Sequence, residues 1–118
     1  MLFLESPPGA GYSINEDKKY EYNDSRTSSD NLAAIKEWFM LYPEFESNRF
    51  WIAGESKAGM YIPSFADKLL RNRAEVLPSG KDLNFYGIII GNGVMWTQSH
   101  WRRKARNSFY SRHSHFGP

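Results

Sequence analysis

Residues 54–59 read Gly-Glu-Ser-Lys-Ala-Gly and are the part of the sequence best suited to chemistry. They approximate the pattern Gly-x-Ser-x-Gly, with glycines close on both sides of Ser56. An apolar run precedes them and a helical pattern follows, which predicts a serine on a sharp turn between a strand and a helix. Small residues are needed there because side chains would clash with neighbouring backbone. Ser56 is therefore the candidate nucleophile, and the backbone N–H of Lys57 is the candidate donor to an oxyanion.

Two helices are expected around this turn. Residues 13–29 are polar and are assigned to a surface loop, and a helix is expected to start near Ser29 or Asp30, either of which can cap it. Its apolar face follows three- and four-residue spacing, and Pro43 ends it; the face comprises Leu32, Ile35, Phe39 and Tyr42. The second helix tolerates Pro63 near its start, and its apolar side comprises Ile62, Phe65, Ala66, Leu69 and Leu70.

Three apolar runs predict strands. Residues 2–4 form a short one that enters a turn at the Pro-Pro-Gly of 7–9. Residues 50–53 and 85–90 are continuously apolar, as in parallel strands covered on both faces, and the second run ends at the Gly-Asn-Gly of 91–93. Strands that alternate with helices define an α/β fold with a mostly parallel sheet flanked by helices.

The composition sets further limits. The 118 residues are enough for one domain, and the 41% hydrophobic and 16% aromatic content is typical of a globular chain. No cysteine is present, so these residues form no disulfide or thiolate metal site. A net charge of +2 is too small to specify a partner. No apolar run approaches the length of a membrane span, and the first residues lack the features of a signal peptide.

Four blocks of sequence, in order along the chain, resemble the serine carboxypeptidases. Residues 2–13 (Leu-Phe-Leu-Glu-Ser-Pro-Pro-Gly-Ala-Gly-Tyr-Ser) resemble that family's Leu-Phe-Leu-Glu-Ser-Pro-x-Gly-Val-Gly-Phe-Ser segment. Residues 38–45 are similar to its Trp-Phe…Phe-Pro-Glu-Tyr segment. Residues 52–63 resemble the signature Gly-Glu-Ser-Tyr-Ala-Gly-x-Tyr-Val-Pro, and residues 87–93 resemble Gly-Ile-x-Ile-Gly-Asn-Gly. Four blocks in the right order are far more specific than one.

The resemblance implies a fold and an activity. The fold would be part of an α/β-hydrolase spanning residues 1–118, with a basic tail of uncertain structure at 97–118. The activity would be hydrolysis of C-terminal peptide bonds through an acyl-enzyme on Ser56. Glu55 would bind the substrate's free α-carboxylate by sharing a proton with a second acidic group at low pH. No cofactor or metal is implied. The partners would be the C-termini of peptides or proteins, and the location a vacuole, a lysosome or the cell exterior.

The sequence also departs from the family pattern. Lys57 stands where the family has tyrosine, so it either attracts an acidic group or disturbs the substrate pocket. The histidines at 100, 113 and 115 come too soon after the Gly-Asn-Gly block to match the catalytic base, and solvated tail residues are the expected alternative. The triad aspartate and an upstream Asn-Gly-Gly block are not found. We therefore expect a central fragment that is close to inactive alone.

Other functions remain open from the sequence. An acyltransferase descended from such peptidases would use the same serine with an alcohol as acceptor. A non-catalytic binding protein is a further alternative, because the tail is basic and aromatic; its residues include Trp101, Arg102, Arg103, Lys104, Arg106, Phe109, Tyr110 and Arg112. A solvated face explains that tail more simply, and no nucleic acid or membrane partner is expected. The sequence does not specify an oligomeric state.

Overall fold

The computed structural model describes residues 1–16 and 23–94. The described part contains two helices and two strands in alternation: α1 (Asp24–Leu41), β1 (Phe50–Glu55), α2 (Ala58–Arg71) and β2 (Phe85–Gly91). Short 3-10 turns lie at Pro43–Phe45 and Arg73–Glu75. The expected tail at 97–118 lies outside the described residues.

Helix α1 begins more than a turn earlier than the sequence predicts. Asn23 is its cap, and the Asn23 side-chain oxygen accepts a 2.9 Å hydrogen bond from the backbone N–H of Arg26. The prediction of a loop over 13–29 is therefore wrong from Asp24 onward. The serines of this stretch fit a helix because their hydroxyls donate back to carbonyls one turn earlier. Ser28, for example, donates to the carbonyl of Asp24 at 2.7 Å.

Helix α2 starts directly after the candidate serine turn. Pro63 is its sixth residue, near the start of the helix but beyond its first turn. A proline there removes one i to i−4 hydrogen bond, and tertiary packing must offset that loss. The packing is extensive: Ile62, Phe65 and Leu69 are buried against α1 and the sheet.

Strands β1 and β2 pair in parallel, which confirms the predicted strand–helix–strand unit. The register places Ile52 beside Ile88 and Glu55 beside Gly91. The strand predicted at residues 2–4 is wrong, because no residue of 1–16 is in a strand and Phe3 is 83% exposed. Apolar residues form a strand only where a partner completes the backbone hydrogen bonds, and neither described strand pairs with this segment.

The core lies between α1, α2 and one face of the sheet. It contains Leu32, Ile35 and Phe39 from α1, and Ile52 from β1 joins the α2 residues. Three residues of the connection to β2 complete it: Val76, Leu77 and Leu83. Tyr42 and Leu70, predicted on the apolar faces, are each 45% exposed. Tyr42 lies just past the end of α1, as its C-cap residue.

The second face of the sheet is open. Trp51 and Tyr86 pack against each other there with ring centroids 5.7 Å apart, and about half of each residue is exposed. Ile89 is also exposed. The prediction of strands covered on both faces is therefore wrong for the described residues, since α1 and α2 cover only one face. Neither of these two helices is long and apolar enough to cross a membrane.

Candidate active site around Ser56

Ser56 lies on the turn between the end of β1 and the start of α2, as the sequence predicts. Its φ angle is +56°, in the left-handed region that residues other than glycine rarely adopt. A non-glycine residue there costs roughly 1–2 kcal/mol. Ser56 is exposed, and its strained turn sits at the carboxyl edge of the sheet.

Three backbone hydrogen bonds hold this turn. The Ser56 N–H donates to the carbonyl of Gly91 at 2.9 Å, which continues the parallel ladder. The Ser56 carbonyl accepts from Gly59 at 3.1 Å and from Val94 at 2.7 Å. The turn is therefore attached both to its own helix and to the loop that follows β2.

Close packing explains the small residues on either side of the serine. A Cβ at Gly54 would lie 2.6 Å from both the Cβ of Ala58 and the Cδ1 of Ile62. A Cβ at Gly59 would lie 2.9 Å from the carbonyl oxygen of Val94. Ala58, which occupies the fifth motif position, is buried with its methyl against β1. Strand β1 and helix α2 can thus approach closely enough to form the turn.

The loop at 91–94 is a part of the site whose contact the sequence reasoning did not predict. Asn92 is also left-handed, with φ +45°, and Gly93 has no room for a side chain because of Ile90. Val94 then reaches the Ser56 carbonyl. The signal in the sequence was the pair of glycines around Asn92, directly after an apolar strand, which indicates a tight turn at the same sheet edge as Ser56.

Opposite charges flank the serine. Glu55 and Lys57 are both exposed, and within residues 1–16 and 23–94 neither side chain forms an ion pair or hydrogen bond. The Lys57 N–H also has no hydrogen-bond partner among the described residues. Helix α2 has no capping side chain and no acidic residue in its first turn. Its positive end is therefore not neutralised by its own sequence.

Glu5 holds the backbone of the segment that follows it. Its carboxylate accepts a 2.7 Å hydrogen bond from the backbone N–H of Tyr12 and so closes the turn that begins at Pro7. Gly11, with φ +58°, leaves the space that this carboxylate occupies. The neighbouring Ser6 hydroxyl donates to the Asn31 side-chain oxygen at 2.6 Å, which ties the segment to α1.

A cleft of about 290 Å³ lies elsewhere, between the start of α1 and the later turns of α2. Its charged side chains are already engaged, because Lys68 donates to Ser29 and Arg71 pairs with Asp67 at 2.9 Å. The hydrogen bond and the negative charge of Asp67 raise the pKa of Arg71, which stays protonated. The α2 residues that line this cleft begin at Ser64, eight positions after Ser56. The cleft is therefore no part of the candidate active site.

Among the described residues, the site contains neither a set of metal ligands nor a histidine. Residues 1–16 and 23–94 contain no group of three or more histidine, cysteine, aspartate or glutamate side chains that could hold a metal ion. The three histidines of the sequence all fall at 95–118, outside the described residues. The described site thus consists of the Ser56 turn, the unbonded N–H of Lys57 and two flanking charges.

A parallel strand, a left-handed serine turn and a helix packed closely on the strand form the strand–turn–helix arrangement that is typical of α/β-hydrolases. A solved structure confirms the fold: the chain matches a prohormone-processing carboxypeptidase from Saccharomyces cerevisiae, Kex1Δp, with a TM-score of 0.77 and 23% identity. The match covers 93% of this chain and 24% of that one. The described residues are accordingly part of an α/β-hydrolase fold.

The family follows from the sequence comparisons. The family model described as serine carboxypeptidase matches residues 1–115, so the chain belongs to the serine carboxypeptidase family. Serine carboxypeptidase-like 21 of Arabidopsis thaliana is 40% identical over 80% of this chain and 19% of its own length. The lysosomal protective protein of Mus musculus is 38% identical over 80% of this chain and 18% of its own length. The chain spans about a fifth of the length of these curated relatives.

Proposed function

We propose that Ser56 is the acyl-forming nucleophile of a serine-type carboxypeptidase. The observation that carries the proposal is the exposed, left-handed conformation of Ser56 on the turn between β1 and α2. In this reaction the Ser56 Oγ attacks the carbonyl carbon of the C-terminal peptide bond, and its proton passes to a general base. The C–N bond then breaks, the C-terminal amino acid leaves with a proton on its nitrogen, and water hydrolyses the serine ester.

The backbone N–H of Lys57 is the proposed donor to the oxyanion of the tetrahedral intermediate. It lies at the positive end of α2 and forms no hydrogen bond with the described residues, so it is free to donate. The Ser56 N–H does not serve in this role because it donates to Gly91. A single such donor typically contributes about a hundred- to a thousandfold in rate.

Glu55 is the proposed contact for the α-carboxylate of the substrate. It is exposed at the end of β1, next to the nucleophile, and it has no ion-pair partner in the described part of the chain. Two carboxylates bind each other only when they share a proton. This contact therefore favours an acidic medium. The name of the mouse relative, lysosomal protective protein, supports a lysosomal, vacuolar or extracellular location.

The general base does not come from the described residues, because all three histidines of the sequence lie at 95–118. The resemblance implies that those three do not correspond in position to the family's catalytic histidine. Complete hydrolysis therefore requires a base and an aspartate from residues other than 1–94. The 118-residue chain by itself should stay close to the uncatalysed rate.

The test begins by sequencing the transcript across both ends of this reading frame and expressing its full product. The assay measures release of the C-terminal amino acid from an N-blocked dipeptide, with the C-terminal amide of the same dipeptide as the control. Ser56→Ala should lower kcat by at least about ten-thousandfold. If the Ser56→Ala variant folds and hydrolyses the dipeptide as well as the wild type does, Ser56 takes no part in the mechanism. Adding an alcohol and measuring ester formation distinguishes an acyltransferase from a peptidase.

A further inference from the structure

The charge next to the nucleophile has a consequence for substrate choice. Lys57 directly follows Ser56 and is exposed, and its side chain is unpaired among the described residues. It adjoins the start of α2, where no acidic residue offsets the positive end of the helix. A lysine is unfavourable at that end, where acidic side chains are stabilising. An anion bound at this turn would relieve both uncompensated positive charges at once.

The other charges near the start of α2 do not cancel this field. The basic residues of the helix, Lys68 and Arg71, lie in its last turn. Glu55 is the one acidic neighbour within two residues of Ser56, and it sits at the end of β1, on the opposite side of the serine along the chain. Along the chain, an acidic residue therefore precedes the serine and a basic residue follows it.

We propose that Lys57 is a specificity-determining residue that binds a carboxylate on the substrate, namely the side chain of the residue whose carbonyl carbon Ser56 attacks. This inference rests on the proposed function of Ser56. It names the substrate class as chains with aspartate or glutamate in the penultimate position. Glu55 then binds the terminal carboxylate on the acidic side of the turn, and Lys57 binds the penultimate side chain on the basic side.

The electrostatic part of this proposal, the attraction of an anion to Lys57 at the Ser56 turn, can be tested in the 118-residue chain without any peptidase activity. The chain has no cysteine, so Ser56→Cys introduces a single thiol at the turn. An anionic and a cationic methanethiosulfonate of equal length are then reacted with it. In each reaction the thiolate attacks the divalent sulfur of the reagent, its bond to the sulfonyl group breaks, a disulfide forms and methanesulfinate leaves. The ratio of the anionic to the cationic rate constant is divided by the same ratio for an unstructured cysteine peptide.

This normalised ratio should exceed one, by about five- to thirtyfold at low salt, since a charge several Å away in water attracts the anion and repels the cation by about 0.5–1 kcal/mol each. It should fall toward one at high ionic strength. Adding Lys57→Gln should lower the ratio, and Lys57→Arg should preserve it. Ser79→Cys, in an exposed loop, is the matched control site, and its ratio should not respond to Lys57→Gln. A ratio of one or less with lysine present, or one unchanged by Lys57→Gln, overturns the inference.

Peptide kinetics then identify the source of the carboxylate. In the dipeptide assay, substrates with glutamate and glutamine in the penultimate position are compared by kcat/KM. The glutamate substrate should be favoured, and Lys57→Gln should reduce that preference several-fold. An equal loss for both substrates would assign Lys57 to the terminal carboxylate and overturn the inference. If no substrate is hydrolysed but the thiol ratio still depends on Lys57, the peptidase function fails while the anion-attracting role of Lys57 stands.

Discussion

The main-chain N–H of Val94 donates a 2.7 Å hydrogen bond to the carbonyl oxygen of Ser56, so the loop after β2 holds the turn that carries this serine. This bond requires α2 and the loop to touch, and Gly59 makes that contact possible. The nucleophile turn is thus shaped by residues distant in sequence as well as by its own neighbours.

Gly59→Ala should weaken this contact. The new methyl would lie 2.9 Å from the Val94 oxygen, and backbone atoms cannot move aside cheaply. Alanine gains about 1 kcal/mol over glycine in a helix, but overpacking costs about 1–3 kcal/mol. We expect a net loss in the free energy of unfolding, measured in urea by circular dichroism. Gly91→Ala is the control, because its Cβ would be 3.9 Å from the Glu55 side chain. A Gly59→Ala chain as stable as the wild type would contradict the packing.

The strain at Ser56 predicts that the order of stability of the glycine and alanine variants reverses between residues 56 and 57. At residue 56, with φ +56°, glycine should be at least as stable as alanine, because relief of about 1–2 kcal/mol offsets the entropy of the glycine. At residue 57, with φ −62°, alanine should be more stable than glycine by about 0.5–1 kcal/mol. Unfolding of the four single variants measures both differences. The same sign at both positions would mean that residue 56 is not held in the left-handed region.

The close approach of β1 to α2 predicts energetic coupling between Gly54 and Ala58. A methyl at Gly54 would lie 2.6 Å from the Ala58 Cβ, so Gly54→Ala should be strongly destabilising. Ala58→Gly removes the opposing methyl and should restore part of the loss in the double variant. The expected interaction energy is about 0.5–3 kcal/mol, obtained from a double-mutant cycle. Strictly additive effects would show that the two residues do not touch.

The cap of α1 predicts a loss of stability in Asn23→Ala. The substitution leaves the Arg26 N–H without its side-chain acceptor and should cost about 1 kcal/mol. Asn23→Ser keeps an acceptor and should lose much less. Thermal unfolding of both variants separates the cap from a general effect of changing the residue. If serine were as harmful as alanine, the helix would not depend on this hydrogen bond.

Local signals in the sequence were sufficient for the nucleophile turn. The apolar run before Ser56 and the helical spacing after it are each properties of neighbouring residues, and strand β1 and helix α2 form where they predict. The start of α1 was not predicted, because local signals there suggest a different structure. Its first turns are rich in serine, which suggests a loop until the side chains find acceptors on the preceding turn, as Ser28 does.

Features that depend on distant partners could not be predicted in this way. The hydrogen bond from Val94 to Ser56 joins two turns that meet only because β1 and β2 pair. The spacing of residues along the chain does not predict it. The open face at Trp51 and Tyr86 is similar, because an apolar strand residue is buried only if another layer packs on it. The charges of Glu55 and Lys57 were visible in the sequence, but their lack of ion-pair partners in the described region was not.

The hydrogen bond from the Ser56 N–H to Gly91 also links the conformation of this turn to the pairing of the two strands. Helix α2 can form early from local contacts, whereas β1 and β2 must close a long stretch of chain before they pair, which is the slower kind of event. Until then residue 56 is a serine with an ordinary backbone. We expect a refolding chain to gain its distinctive reactivity at this position only after the sheet has closed, as timed labelling of the Ser56→Cys thiol would show. Assembly of the sheet would in this way delay the chemistry until the surrounding structure is in place.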